Sequence, residues 1–222
     1  NYFPETQTYQ LPTEHAAYLT DEGEYNFASA MQFIPVMGNV ETELIECFEK
    51  GGGVPYSSYA RFHEVMARES TQTTVNALEP HILPLVPGLK EKLEAGIDVL
   101  DVGCGSGRAM IQLAKRFSNS RFAGYDFSAE GIDRANEEAC LLGIDNVRFE
   151  IRDAAAIGET EAYDLITSFD AIHDQAKPAA MLAGLKQAQN ILQWAKEDAE
   201  ERERAAAGAE KAVSRIGEQD VE

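Results

Sequence analysis

The chain has 222 residues, 44% of them apolar, and carries 38 Asp and Glu against 19 Lys and Arg for a formal net charge of −19. That apolar share suits one domain with an appendage, while the acidic excess and the absence of any Lys/Arg cluster argue against nucleic acid as a partner. No apolar run reaches the roughly 20 residues that span a bilayer, and the first residues lack the basic-then-apolar layout of a signal peptide. A cytoplasmic protein with no membrane partner is therefore expected.

In chain order, "YFPETQTYQLP" places aromatic and polar residues around a Pro-Glu-Thr turn and predicts a short hairpin. Thr13 is the expected cap of a helix over "TEHAAYL", and the stretch from Asn26 to Phe48 reads as helices broken at Pro35 and Gly38. Gly51 to Gly53 form either a hinge or a plain linker, followed by a helix carrying Tyr59, Phe62, His63, Met66 and Ala67. Thr74 to Leu93, with Pro80, Pro84 and Pro87, predicts a further helical segment, so residues 1–94 form a helical cover lobe. Tyr56, Tyr59 and His63 could touch a ligand from that lobe, although such a stripe at helical spacing also serves plain packing.

From residue 95 the pattern changes. "IDVLDV", "RFAGYDF", "VRFEIRD" and "YDLITSF" read as strands, separated by the helices "AMIQLAKRF" and "EGIDRANEEACLLG" and followed by a helix from Pro178 to Trp194. This alternation predicts an α/β fold, a doubly wound parallel sheet with strand order 3-2-1-4 over residues 95–194. Cys47, Cys104 and Cys140 are odd in number and widely spaced, which predicts reduced thiols and no metal site.

The chemistry concentrates in "VLDVGCGSGRA", Val99 to Ala109. A strand ending at Gly103, with Gly105 and Gly107 before a helix, aims free N–H groups and the positive helix end at a ligand, and glycines let the backbone approach it. Asp101 precedes the loop, and Asp126 lies 19 positions beyond Gly107, where an acidic side chain would accept hydrogen bonds from ribose hydroxyls. A capping role for Asp126 ahead of the next helix is the alternative. Arg108 stands where a dinucleotide fingerprint would have its third glycine, which speaks against a nicotinamide dehydrogenase.

Taken together, "VLDVGCGSGR", "FAGYDFS", "VRFEIRDAAAI" and "YDLITSFDAIHD" resemble the class I S-adenosylmethionine-dependent methyltransferases over Gly96 to about Gln187. The resemblance implies a Rossmann-like sheet, S-adenosyl-L-methionine as cofactor and a small-molecule methyl acceptor. It places the methionine moiety at Asp101, Gly103, Gly105 and Gly107, the ribose at Asp126, adenine against Phe127 and the adenine amino edge at Asp153 and Ala154. Ser168 and Phe169 would line the methyl-transfer position. Asp153 could instead be a helix cap, and Phe127 a core aromatic. His173 could take a proton from the acceptor as a general base, or be an ordinary loop residue. The first portion resembles the lobe of bacterial-type methyltransferases that carry an upstream winged-helix dimerisation region.

The family pattern continues past Trp194 with further strands. Here Lys196 to Glu222 holds nine acidic and five basic residues, which predicts a solvated helix or disordered tail over residues 195–222 and a C-terminally curtailed sheet. An exposed edge on the fourth strand would invite a second copy, as a homodimer, or an edge-strand partner. A non-catalytic cofactor-binding scaffold is the competing function.

Overall fold

The structure, a computed structural model, describes residues 1–21, 23 and 25–190. The expected tail and the end of the last helix, including Leu192 and Trp194, lie outside the described residues. The chain opens with the anticipated hairpin, β1 (Tyr2–Phe3) antiparallel to β2 (Thr8–Tyr9), with the rings of Tyr2 and Tyr9 4.8 Å apart. Four short helices follow: α1 (Thr13–Leu19), α2 (Phe27–Ala30), α3 (Phe33–Gly38) and α4 (Glu41–Lys50). Thr13 is the first helical residue rather than the cap. The Pro12 carbonyl accepts from the His15 and Ala16 N–H groups, and no side chain caps α1. Pro35 falls in the first turn of α3, where its missing N–H costs nothing, so the break precedes it.

α5 (Phe62–Ser70) runs into a π turn over Thr71–Val75, and a second π turn, a 3₁₀ turn and α6 (Leu89–Ala95) complete the lobe. Tyr59 lies ahead of α5, not on it, because Tyr56–Ser58 forms a separate 3₁₀ turn. Proline explains the rest of the interruption: Pro80 and Pro84 each lack the N–H that a continuous helix would use.

The second half alternates β3 (Asp98–Val102), α7 (Arg108–Arg116), β4 (Arg121–Asp126), α8 (Ala129–Leu141), β5 (Val147–Ile151), β6 (Leu165–Thr167) and α9 (Pro178–Ala188). The strands are parallel in the order β5-β4-β3-β6, with Asp98 opposite Arg121, Asp126 opposite Ile151 and Asp101 opposite Thr167. This is the doubly wound arrangement and the 3-2-1-4 order expected from the sequence. Both faces of the central strands are covered, which is why β3 and β4 are buried along most of their length. Val99 and Phe122 pack with Met110, Leu113, Ile132 and Phe149 on one side, and Leu100, Val102 and Tyr125 pack with Ile157, Tyr163 and Met181 on the other.

α9 stops at Ala188, short of the predicted Trp194. Gln189 turns extended (φ −79, ψ 134), the Asn190 N–H donates to the Tyr163 carbonyl at 2.8 Å, and the Tyr163 N–H donates to Ala188 at 3.1 Å. The apolar spacing continues beyond this point, but pairing with the approach to β6 ends the helix. Among the described residues β6 is one edge of the sheet and β5 the other.

Ser120 joins the lobe to the sheet. Its fully buried hydroxyl donates to the Leu93 carbonyl at 2.7 Å and accepts from the Ile97 N–H at 3.0 Å, tying the end of α6 to the approach to β3. Ser120→Ala leaves both backbone groups without this partner and is expected to cost about 1–3 kcal/mol in urea unfolding.

Candidate active site

The carboxyl ends of β3, β4 and β6, together with α5 and its π turn, enclose one cleft. Its floor is the turn from Gly103 to Gly107, in which all three glycines have positive φ. Two of them serve different ends. A Cβ on Gly107 would come within 2.4 Å of the Phe149 ring, so this glycine lets α7 pack on the sheet. A Cβ on Gly105 would meet nothing within 4 Å, so this glycine keeps open the space in front of the turn.

The turn is held from β4. Asp126 accepts the Gly105 N–H through one carboxylate oxygen at 2.9 Å and the Ser128 N–H through the other at 2.8 Å. A carboxylate has about four lone-pair sites, so acceptor capacity toward the cleft remains. Asp101, deeper in the cleft, is 3% exposed, and the Thr167 hydroxyl donates to it at 2.8 Å. Burial raises its carboxyl pKa to about 7, the Thr167 hydrogen bond opposes the rise, and neighbouring Asp126 adds to it. Burial also pushes the Cys104 thiol well above its ordinary value, with Asp101 and Asp126 reinforcing the shift, so it stands here as a neutral wall group.

The cover closes over these groups through aromatic contacts. The Tyr56 ring lies 5.4 Å from Phe127 and 4.9 Å from Phe62, and His63 Nε2 sits 2.8 Å from the Ser128 hydroxyl, which also caps α8. Phe127 is 56% exposed at the rim, as a stacking platform would be and a core aromatic would not.

Of the residues singled out from the sequence, Asp101, Gly103, Gly105, Asp126, Phe127, Ala154, Phe169, Tyr56 and His63 line the cleft. The others do not. Gly107 supports the turn from behind. Asp153 is exposed and accepts the Ala155 N–H at 2.8 Å, the capping arrangement weighed above. The Ser168 hydroxyl donates to the Val102 carbonyl at 2.9 Å, and Tyr59 packs on Phe62 with ring centroids 5.8 Å apart. His173 is 65% exposed on a loop, 3.4 Å from Asp174 and outside the cleft wall.

Residues not anticipated also line the cleft: Glu69, Thr73 and Thr74 from the cover, Arg108, Arg152, and Asp170, Asp174 and Gln175 beyond β6. Arg108 and Arg152 adjoin motif residues and were within reach of sequence reasoning. Glu69 and Thr73 enter through the packing of the α5 segment on α7, which no local pattern reports.

Residues 93–200 match a family model described as a methyltransferase domain. Malonyl-[acyl-carrier protein] O-methyltransferase of Bacillus cereus is 30% identical over 120 residues, covering 53% of this chain and 38% of that protein. The 27-O-demethylrifamycin SV methyltransferase of Amycolatopsis mediterranei is 31% identical over 83 residues, covering 36% and 30%. The chain thus spans about a third of the length of these curated relatives. A solved S-adenosylmethionine-dependent methyltransferase from Aquifex aeolicus is 27% identical with a TM-score of 0.42, covering 53% of this chain and 66% of that one. The parallel sheet and its crossovers are those of the class I methyltransferase fold, Rossmann-like, with a helical region ahead of it.

The two glycines separate stability from binding. Gly107→Ala collides with Phe149 and is expected to lower the melting temperature more than Gly105→Ala. The latter carries only the strain of a left-handed alanine, about 1–2 kcal/mol, and is expected to weaken ligand binding in calorimetry.

Proposed function

We propose that this cleft binds S-adenosylmethionine and that the chain transfers its methyl group to a small-molecule acceptor. The observation that carries this reading is Asp101: a carboxylate 3% exposed at the end of a central strand, facing a cleft and answered by one hydroxyl, is suited to a ligand ammonium group. The remaining residues fit the same molecule. Gly105 leaves room beside the turn, Asp126 has acceptor capacity for a ribose diol, and Phe127 with Ala154 offers an apolar slot for adenine.

When bound, the cofactor supplies a methyl group on a positively charged sulfur, and the protein's task is then to place a nucleophile in line with it and exclude water. The aromatic cover of Tyr56, Phe62 and Phe127 serves exclusion, and its attachment through His63 to Ser128 ties the closed lobe to the ribose end. Metal chemistry has no role in this reading. His173 is not assigned as the base, because its ring lies outside the cleft wall.

The buried carboxyl makes cofactor binding pH-dependent. A carboxyl raised in the folded protein favours its neutral form: its contribution to stability is complete below the unfolded value near 4 and is lost as pH rises through about 7. Pairing with an ammonium group requires the ionised form, so affinity for S-adenosylhomocysteine is expected to climb up to about tenfold per pH unit below about 7 and to level off above it. Calorimetry across pH tests this, with Asp101→Asn expected to flatten the slope. A pH-independent affinity in the unaltered protein rejects the Asp101 assignment. Separately, Asp126→Ala is expected to weaken the same ligand by about 1.5–3 kcal/mol, and unchanged affinity rejects the ribose assignment.

A further inference from the structure

The charges around the cleft are unbalanced in a way that bears on the acceptor. Five carboxylates line it, from Glu69, Asp101, Asp126, Asp170 and Asp174. Of the two arginines in its wall, Arg152 has its charge met by carboxylates outside the cleft, and Arg108 offsets one of the five. Arg152 donates to Glu150 at 2.9 Å and to Glu159 at 2.9 Å, and Arg108 donates to the Thr71 hydroxyl at 3.0 Å while its Nε is buried without a partner. S-adenosylmethionine, with an ammonium, a sulfonium and one carboxylate, brings a single net positive charge. On the methyl-transfer reading, on which this inference rests, the occupied cleft therefore remains anionic.

Two further observations bear on a second cation. Glu69 adds to the wall a buried Oε2 without a hydrogen-bond partner, its other oxygen taking the Tyr25 hydroxyl. Tyr56 shares the cleft wall with Asp126, Asp170 and Asp174, its ring 5.4 Å from that of Phe127, and its phenol is raised above its ordinary value by burial first, then by Asp174 and Asp126, with Tyr59 adding to the effect. Asp170 and Asp174 are exposed at the mouth, where a ligand meets them before it is desolvated, and Phe169 lies beside them in the wall. Asp170 holds its place with a left-handed backbone, φ 55. Aromatic faces beside carboxylates attract an organic cation, whereas a carboxylate or phosphate acceptor would face repulsion from this wall.

We propose that the methyl acceptor is a small amine with an apolar body, admitted as its ammonium form between the Tyr56 ring and the carboxylates of Asp170 and Asp174. The transfer then balances. The ammonium gives a proton to Asp174 and through it to water, the freed nitrogen lone pair forms the N–C bond to the methyl carbon, and the S–C bonding pair stays on sulfur as the thioether of S-adenosylhomocysteine. Asp174 acts on the acceptor alone and has no part in holding the cofactor.

The test is binding, with benzylamine as the probe and benzyl alcohol and benzoate as its neutral and anionic counterparts. It is measured by calorimetry with and without S-adenosylhomocysteine at about pH 8, where benzylamine is still cationic. Benzylamine is expected to bind about tenfold or more tightly than either counterpart, and Asp174→Asn to remove most of that preference while leaving S-adenosylhomocysteine affinity within about twofold. Benzoate or benzyl alcohol binding as well as the amine, no amine binding at millimolar concentration, or a preference retained in Asp174→Asn overturns the proposal. Failure of S-adenosylhomocysteine to bind overturns the cofactor reading instead, and the amine measurement without it keeps the two outcomes separate.

Discussion

The Asp126 carboxylate is the interaction on which the rest of the site depends. By accepting the Gly105 N–H and the Ser128 N–H at once, it ties the turn after β3 to the turn after β4. Both helices that follow then start from fixed points at the same end of the sheet. The cleft exists because these two turns diverge around a shared anchor, and a group that is an acceptor for the backbone retains lone pairs for a ligand. Charge-assisted hydrogen bonds of this kind are shorter and about twice as strong as neutral ones, which suits a position that must hold its geometry before and after binding.

Against that anchor the cover lobe contributes enclosure more than framework. Its own core is small: Val36 and Val40 are the buried apolar residues in the first 50 described positions, while Tyr9, Ile34 and Phe48 face outward. What positions α5 is its continuation into the π turn against α7, reinforced by Gln112 donating to the Val75 carbonyl at 3.0 Å and by Arg108 on Thr71. The cover residues that reach the cleft are thus placed from the sheet side, and the aromatic contact of Tyr56 with Phe127 closes the gap at the rim.

Most of the sheet was legible in the sequence because β3 and β4 are largely apolar runs that end at glycine or aspartate, β5 and β6 are short β-branched or aromatic runs, and α7 and α8 fill crossovers of ordinary length. The glycine turn and the place of Asp126 were legible for the same reason: both are set by local backbone geometry. The end of α9 was not, since "AQNILQWA" keeps helical spacing and only the long-range pairing of Asn190 with Tyr163 turns it aside. His173 misled in a similar way. Its position after a strand end suggested chemistry, but the left-handed Asp170 redirects the loop, bringing Asp174 into the wall and leaving His173 in solvent. Asp153 was ambiguous in sequence, and its bond to the Ala155 N–H gives it a structural task. Glu69 was invisible because it reaches the cleft through packing of distant segments.

The central claim is that the turn from Gly103 to Gly107 holds S-adenosylmethionine rather than a dinucleotide. Thermal melting of the same chain in S-adenosylhomocysteine and in NADH, each in large excess, decides it most directly, because a ligand at 100 times its Kd stabilises the folded state by about 2.7 kcal/mol. The account predicts a clear rise in melting temperature with S-adenosylhomocysteine and none with NADH. A rise with NADH and none with S-adenosylhomocysteine would contradict it.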